Sequence, residues 1–152
     1  MSKLIYLIQW WGGCPDYLLK LLQILQNRAA RLVTKQSQYT PNRVVLHQCG
    51  WLSVRQMVHY HSLLLVHKVK LDAKPEYFKS HFSSEFPYRT RLATGMGIRR
   101  DNRYNHDVTR LSFIPRTTAA WNQLPANLRS IETTTLFKNK LKSWIKDNIL
   151  FK

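Results

Sequence analysis

The side chains in this sequence that could do chemistry are histidines, cysteines and a few carboxylates, and their spacing decides what they can do. His47-x-Cys49 and His59-x-His61 each set two potential metal ligands two positions apart. On a helix, residues at i and i+2 point away from each other, so His59 and His61 cannot close on one zinc ion from the helix expected there. Two-metal phosphoryl chemistry needs paired carboxylates, and Asp72, Asp101, Asp107 and Asp147 are scattered. No GxxxxGKS or GxxxxGKT loop, no HExxH and no GxSxG occurs. The sequence therefore offers no catalytic constellation, no metal site and no cofactor site. His61 shares a helical face with Met57 and Leu64 and reads as a hydrogen-bonded, partly buried histidine. Cys14 and Cys49 cannot build a disulfide framework, and neither lies in a CxxC. They point to a reducing, intracellular compartment, nucleus and cytoplasm fitting equally.

Charge is the feature that asks for an explanation. Twenty-four Lys and Arg against eight Asp and Glu give a net charge of +16. A surplus of that size implies a polyanionic partner or a missing acidic neighbour. Nucleic acid is the first choice, ahead of an anionic membrane or an acidic protein. Two places concentrate the charge. Residues 83–110 carry Arg89, Arg91, Arg99, Arg100, Arg103 and Arg110 with no lysine, and Tyr88 and Tyr104 lie among them. Guanidinium forks bind phosphate bidentately and tyrosine rings stack on bases, although exposed loops also collect both without a ligand. The second place is a helix face with Lys20, Asn27, Arg28, Arg31 and Lys35 and few acids at i+4. The candidate nucleic-acid contacts are Arg28, Arg31, Lys35, Arg89, Arg91, Arg99, Arg100 and Arg103.

The elements that must position these residues are helices. Pro15 and Asp16 open one that runs to about Lys35, with Leu18, Leu22, Leu25, Ala29 and Leu32 as its apolar stripe. Thr40-Pro41 starts a short helix that Gly50 stops. Ser53 and Gln56 form a capping box, and Leu52 with Met57 the matching hydrophobic staple, ahead of a helix from Val54 to about Leu71. That helix is apolar nearly all round at Leu63, Leu64, Leu65 and Val66, which places it at the centre of a bundle. PEYFKSHF adds one or two helical turns. Residues 83–110 hold neither helical nor strand period; they read as an irregular connector with room for one short hairpin around residues 90–99. Ser112 caps a helix ended by Pro125, with Phe113, Thr117, Ala120, Trp121 and Leu124 on its inner face. Thr133 or Thr134 begins the last helix, whose apolar face is Phe137, Leu141, Trp144 and Ile145, with Lys138, Lys142 and Lys146 as a separate stripe.

The expected architecture is all-α, mainly a helical bundle, with a core of Leu22, Leu25, Leu32, Leu52, Leu64, Phe113, Trp121, Leu124, Phe137, Leu141 and Trp144. The apolar run before Gly12 is too short to span a bilayer and lacks a signal-peptide cleavage site. With its paired tryptophans, Trp10 and Trp11, it reads instead as a surface that further protein covers.

LQILQNRAARLV (22–33), GWLSV (50–54), HSLLLVHKV (61–69), KPEYF (74–78), LSFIPRTTAAWNQLP (111–125) and FKNKLKSWI (137–145) follow one another in an order and spacing that is familiar. Together they resemble the C-terminal region of reverse transcriptases from non-LTR, LINE-type retrotransposons, especially jockey-like elements. The resemblance covers nearly the whole chain. It implies a fragment of an RNA-directed DNA polymerase, in which residues 1–14 are the remnant of a connection to the thumb and residues 15–152 a single helical C-terminal domain. The family's palm, with its Tyr/Phe-x-Asp-Asp motif, lies upstream of this region, so no catalytic residue carries over. The Cys/His knuckle of some relatives is absent too. What carries over is a basic helical region close to template or target nucleic acid, partnered in the parent protein by the thumb. Arg28, Arg31 and Arg116 fall on family-pattern positions, Arg28 and Arg31 as phosphate contacts or as intramolecular partners. The resemblance implies electrostatic RNA or DNA binding of low specificity. The alternative is a domesticated or structural basic module that docks on an acidic protein.

Overall fold

A capping box starts the helix around which the others gather. The Ser53 N–H donates to Gln56 Oε1 at 3.0 Å and the Gln56 N–H donates to Ser53 Oγ at 3.3 Å. Two donors that a helix start would leave orphaned are thereby satisfied. In this computed structural model, which describes residues 5–72, 76–82, 97–98 and 112–148, the chain is all-α. The helices are α1 (Ile8–Trp11), α2 (Asp16–Thr34), α3 (Asn42–Gln48), α4 (Val54–Asp72), α5 (Phe113–Gln123), α6 (Ala126–Arg129) and α7 (Thr134–Asn148), with a 3-10 turn at Glu76–Phe78. No strand occurs among the described residues. The connector expected at 83–110, and the hairpin within it, lie outside them except for Gly97 and Ile98.

Helix α4 packs against α1, α2, α5 and α7 and buries Val54, Met57, Val58, Leu63, Leu64, Val66 and Val69. This is the central position its sequence called for, and each such side chain contributes about 1.5–3 kcal/mol on burial. From α5 come Trp121 and, just past its end, Leu124; from α7 come Phe137, Leu141 and Ile145. The Trp121 and Phe137 rings lie 5.9 Å apart, and the His67 ring stacks on Phe137 at 4.0 Å, the two planes nearly parallel at 9°. Ile98 reaches the same core, fully buried. Its N–H donates to Asn122 Oδ1 and its carbonyl accepts from Asn122 Nδ2, both at 2.8 Å. A single amide thus holds residues 97–98 to α5.

Of the expected core, Leu52, Leu64, Trp121, Leu124, Phe137 and Leu141 are buried, while Leu22, Phe113 and Trp144 are half-buried against it. Leu25 and Leu32 correct the expectation: they are 59% and 81% exposed. Helix α2 turns its amide face inward instead. Gln26 Nε2 donates to the Leu52 carbonyl at 2.9 Å, and the Val54 N–H donates to Gln23 Oε1 at 2.8 Å. Gln23 Nε2 in turn reaches Gln26 Oε1 and Asn27 Oδ1 at 2.9 and 2.8 Å. Unpaired backbone groups at the buried start of α4 would be costly, and these glutamines satisfy them. Leu18, Leu21, Leu25 and Leu32 are left facing outward. Leu25→Lys is therefore expected to change stability by no more than about 0.5 kcal/mol in chemical denaturation. A loss in the range of about 2–5 kcal/mol, usual for a buried leucine, would show that the face is covered.

The N-terminal segment divides. Ile8 is fully buried and Trp11 packs against the core, whereas Tyr6, Leu7 and Trp10 remain exposed. Gly12 permits this approach: a Cβ there would sit 2.5 Å from Val58 Cγ1 and 2.6 Å from the Ile8 carbonyl oxygen. Ala30 of α2 with Val45 and Leu46 of α3 forms a second, smaller core.

Candidate nucleic-acid interface

The helix packing sorts the basic side chains into three groups. On α7, burial of Phe137, Leu141 and Ile145 turns Lys138, Lys142 and Lys146 outward at one-turn intervals, with Lys140 also exposed. Successive members of that stripe are about 6 Å apart along the axis. The stripe was legible as such from the sequence. On α2, Arg28 is exposed and Lys35 sits just past the helix end in the left-handed conformation at φ 53°. Arg31 is half-buried and engaged within the chain: its Nη2 donates to the Thr40 carbonyl at 3.2 Å and to Asn42 Oδ1 at 2.5 Å. Of the alternatives for Arg31, the intramolecular one describes its geometry. Arg89, Arg91, Arg99, Arg100 and Arg103 lie outside the described residues.

The third group is internal. Arg129 is buried with Nε and Nη1 unpartnered, and burial depresses its pKa. Nearby Lys70 is depressed as well, first by burial and then by Arg129, and its Nζ lies 5.7 Å from the centre of the Trp121 ring. Arg116 on α5 donates from Nη2 to the Gln9 carbonyl at 3.0 Å, while its Nε and Nη1 are buried without a partner. Among the described residues the ion pair is Arg55 Nη2 with Asp16 Oδ1, at 2.5 Å.

His59, His61 and His67 are each held towards the neutral form, burial being the first cause in all three. His67, not singled out in the sequence, is the deepest. Its Nε2 pairs with the Ile131 carbonyl at 2.7 Å, Nδ1 has no partner, and burial lowers its pKa against the opposing pull of that carbonyl and Asp72. His61 is half-buried, its pKa lowered by burial, with the Tyr60 ring edge-on at 5.2 Å. His59 is lowered by burial first and then by the charges of Arg116 and Arg55. Among the described residues no three His, Cys, Asp or Glu side chains gather as metal ligands would, and no helix is long and apolar enough to cross a membrane. Cys14 and Cys49 are free thiols, the latter with Sγ 3.8 Å from the Ala30 carbonyl oxygen.

Comparison with protein-family models, with curated proteins and with solved structures found no match.

Proposed function

We propose that this chain is the basic helical region that lies downstream of the thumb in a non-LTR-type reverse transcriptase, without the palm, and that it holds RNA or DNA electrostatically with low specificity. The family part of this reading rests on the order of motifs in the sequence. The binding part is carried by one observation, the outward lysine stripe Lys138, Lys142 and Lys146 on a helix whose other face is locked in the core. A cationic row on a rigid element suits contact with phosphates that positions a backbone without reading bases.

The test is the salt dependence of binding to a labelled random-sequence RNA and to duplex DNA. The logarithm of the association constant is expected to fall linearly with the logarithm of salt. Replacing Lys138, Lys142 and Lys146 together with Gln should flatten the slope by about 0.7–0.9 for each phosphate that is no longer neutralised. Replacing Arg99, Arg100 and Arg103 with Ala tests the connector in the same way. An affinity indifferent to salt would refute the reading.

The exposed leucines of α2 favour a second reading, a module that docks on an acidic protein. Leu21, Leu25 and Leu32 share that helix with Lys20 and Arg28, and Lys35 follows its end, so an acidic amphipathic partner would find both apolar and cationic contacts. Excess random RNA separates the two, because it displaces a purely electrostatic polyanion and leaves a specific apolar contact in place.

A further inference from the structure

Helix α2 has apolar residues on both of its sides. The inner side is taken by Leu19, Gln26, Asn27 and Ala30, with Gln26 serving the start of α4. On the outer side Leu18, Leu21, Leu25, Arg28 and Leu32 are exposed. Their spacing is three, four, three and four residues, the a and d repeat that draws one helix onto another. The line runs for about 21 Å, or about two heptads. Apolar residues scattered singly on a surface need no explanation, but leucines in one seam on a rigid helix form a contiguous patch.

Charge decides what covers that seam. Lys20 and Arg28 are exposed on the helix and Lys35 just past its end, whereas the acid of α2, Asp16, is held by Arg55. A second copy of this chain would add another Arg28 to the seam and no carboxylate to meet it, between two proteins that each carry +16. Arg28 narrows the choice further, because it occupies a seam position between Leu25 and Leu32. Acyl chains offer nothing fixed to answer a guanidinium at that point, and a phosphate backbone offers the leucines nothing. A helix with a carboxylate there answers both, as polar residues at single seam positions do when they set register and choose a partner.

We propose that the outer seam of α2 docks one amphipathic α-helix of another protein, apolar along its own heptad positions and carrying a Glu or Asp opposite Arg28. This rests on the acidic-partner reading above and narrows it to one helix in one register.

The experiment titrates the full chain into a labelled synthetic peptide of about three heptads and follows fluorescence anisotropy. The peptide has Leu at a and d except for one central Glu at d, and Glu at e and g so that it does not pair with itself. A scrambled peptide of the same composition is the control. The heptad peptide is expected to bind saturably, one per chain, and at least tenfold more tightly than the scrambled one. Leu25→Lys, a change expected above to cost the fold little, should weaken it at least tenfold, although a purely electrostatic contact would gain from the added cation. Arg28→Glu should weaken it tenfold or more, and Lys in place of the peptide's central Glu should restore most of that loss. Equal binding of the two peptides would overturn the helical seam and leave acidic docking standing, whereas no binding of either would overturn both. Loss at Arg28→Glu without rescue would remove the register. Self-association in sedimentation that Leu25→Lys abolishes would assign the seam to a second copy. Binding to vesicles of phosphatidylserine and phosphatidylcholine that Leu25→Lys abolishes and the heptad peptide fails to displace would assign it to a lipid surface. Either assignment would overturn the proposal.

Discussion

Trp121→Ala is expected to remove about 3–5 kcal/mol of stability, the range for truncating a fully buried aromatic. Trp121 is 1% exposed, on the α5 face that meets the central helix, and its ring lies against Phe137 of α7. An indole buries roughly 150–250 Å². The space it leaves is bounded by residues of three helices that cannot all close on it without breaking their own packing. The Lys70 ammonium over the ring is also deprived of its aromatic partner. Domains of this kind are stable by only about 5–15 kcal/mol, so the variant sits near the threshold of folding. Its Tm should fall by about 2–4 °C for each kcal/mol of destabilisation. Trp10, 70% exposed on α1, is the control, and Trp10→Ala is expected to stay within about 0.5 kcal/mol of wild type. Equal losses at the two tryptophans in urea denaturation, or less than about 1 kcal/mol at Trp121, would mean that α5 does not pack as described.

That contrast also marks where the sequence could be read and where it could not. The faces of α5 and α7 follow the spacing of their apolar residues because nothing on those helices competes with it. Leu124, Phe137, Leu141 and Ile145 are buried where the period puts them. Helix α2 carries two candidate inner faces, a leucine arc and an amide arc, and periodicity chooses the leucines. What decides against them is a need elsewhere: the start of α4, 26 to 31 residues further along, has a carbonyl and an N–H to satisfy. No local pattern encodes such a requirement between distant backbone groups. Arg31 follows the same logic, drawn inward by the Thr40 carbonyl and Asn42 rather than outward to a phosphate. The lysine row on α7 was legible for the reason the buried face opposite was. The contact of Arg116 with the Gln9 carbonyl was not, because it joins residues 107 apart in sequence. Arg116 stood out in the sequence through the family pattern, which gave no sign of that internal partner.

Gln56 yields the second large effect, and it follows from the same demand of buried backbone groups for partners. The side chain is fully buried; Oε1 accepts from the Ser53 N–H at 3.0 Å, and Nε2 lies 3.5 Å from the Ile145 carbonyl oxygen on α7. It therefore caps the central helix and ties it to the last one. Gln56→Leu keeps nearly the same volume and removes both polar atoms. Losing the cap costs about 0.5–2 kcal/mol, and leaving the Ser53 N–H buried without an acceptor costs about 1–3 kcal/mol. Because these overlap, the expected loss is about 2–4 kcal/mol by equilibrium denaturation. Gln56→Glu separates capping from packing, since it keeps the acceptor and adds a titratable group. A carboxyl buried there has its pKa raised above the unfolded value of about 4.3. Its folded form stays protonated while the unfolded form ionises, so the deficit relative to wild type should be small below about pH 4 and widen as pH rises. A deficit independent of pH would place the carboxyl in water and the start of α4 outside the core. If Gln56→Leu proved as stable as wild type, the Ser53 N–H would have another acceptor, and the capping box would not be what holds the central helix in register.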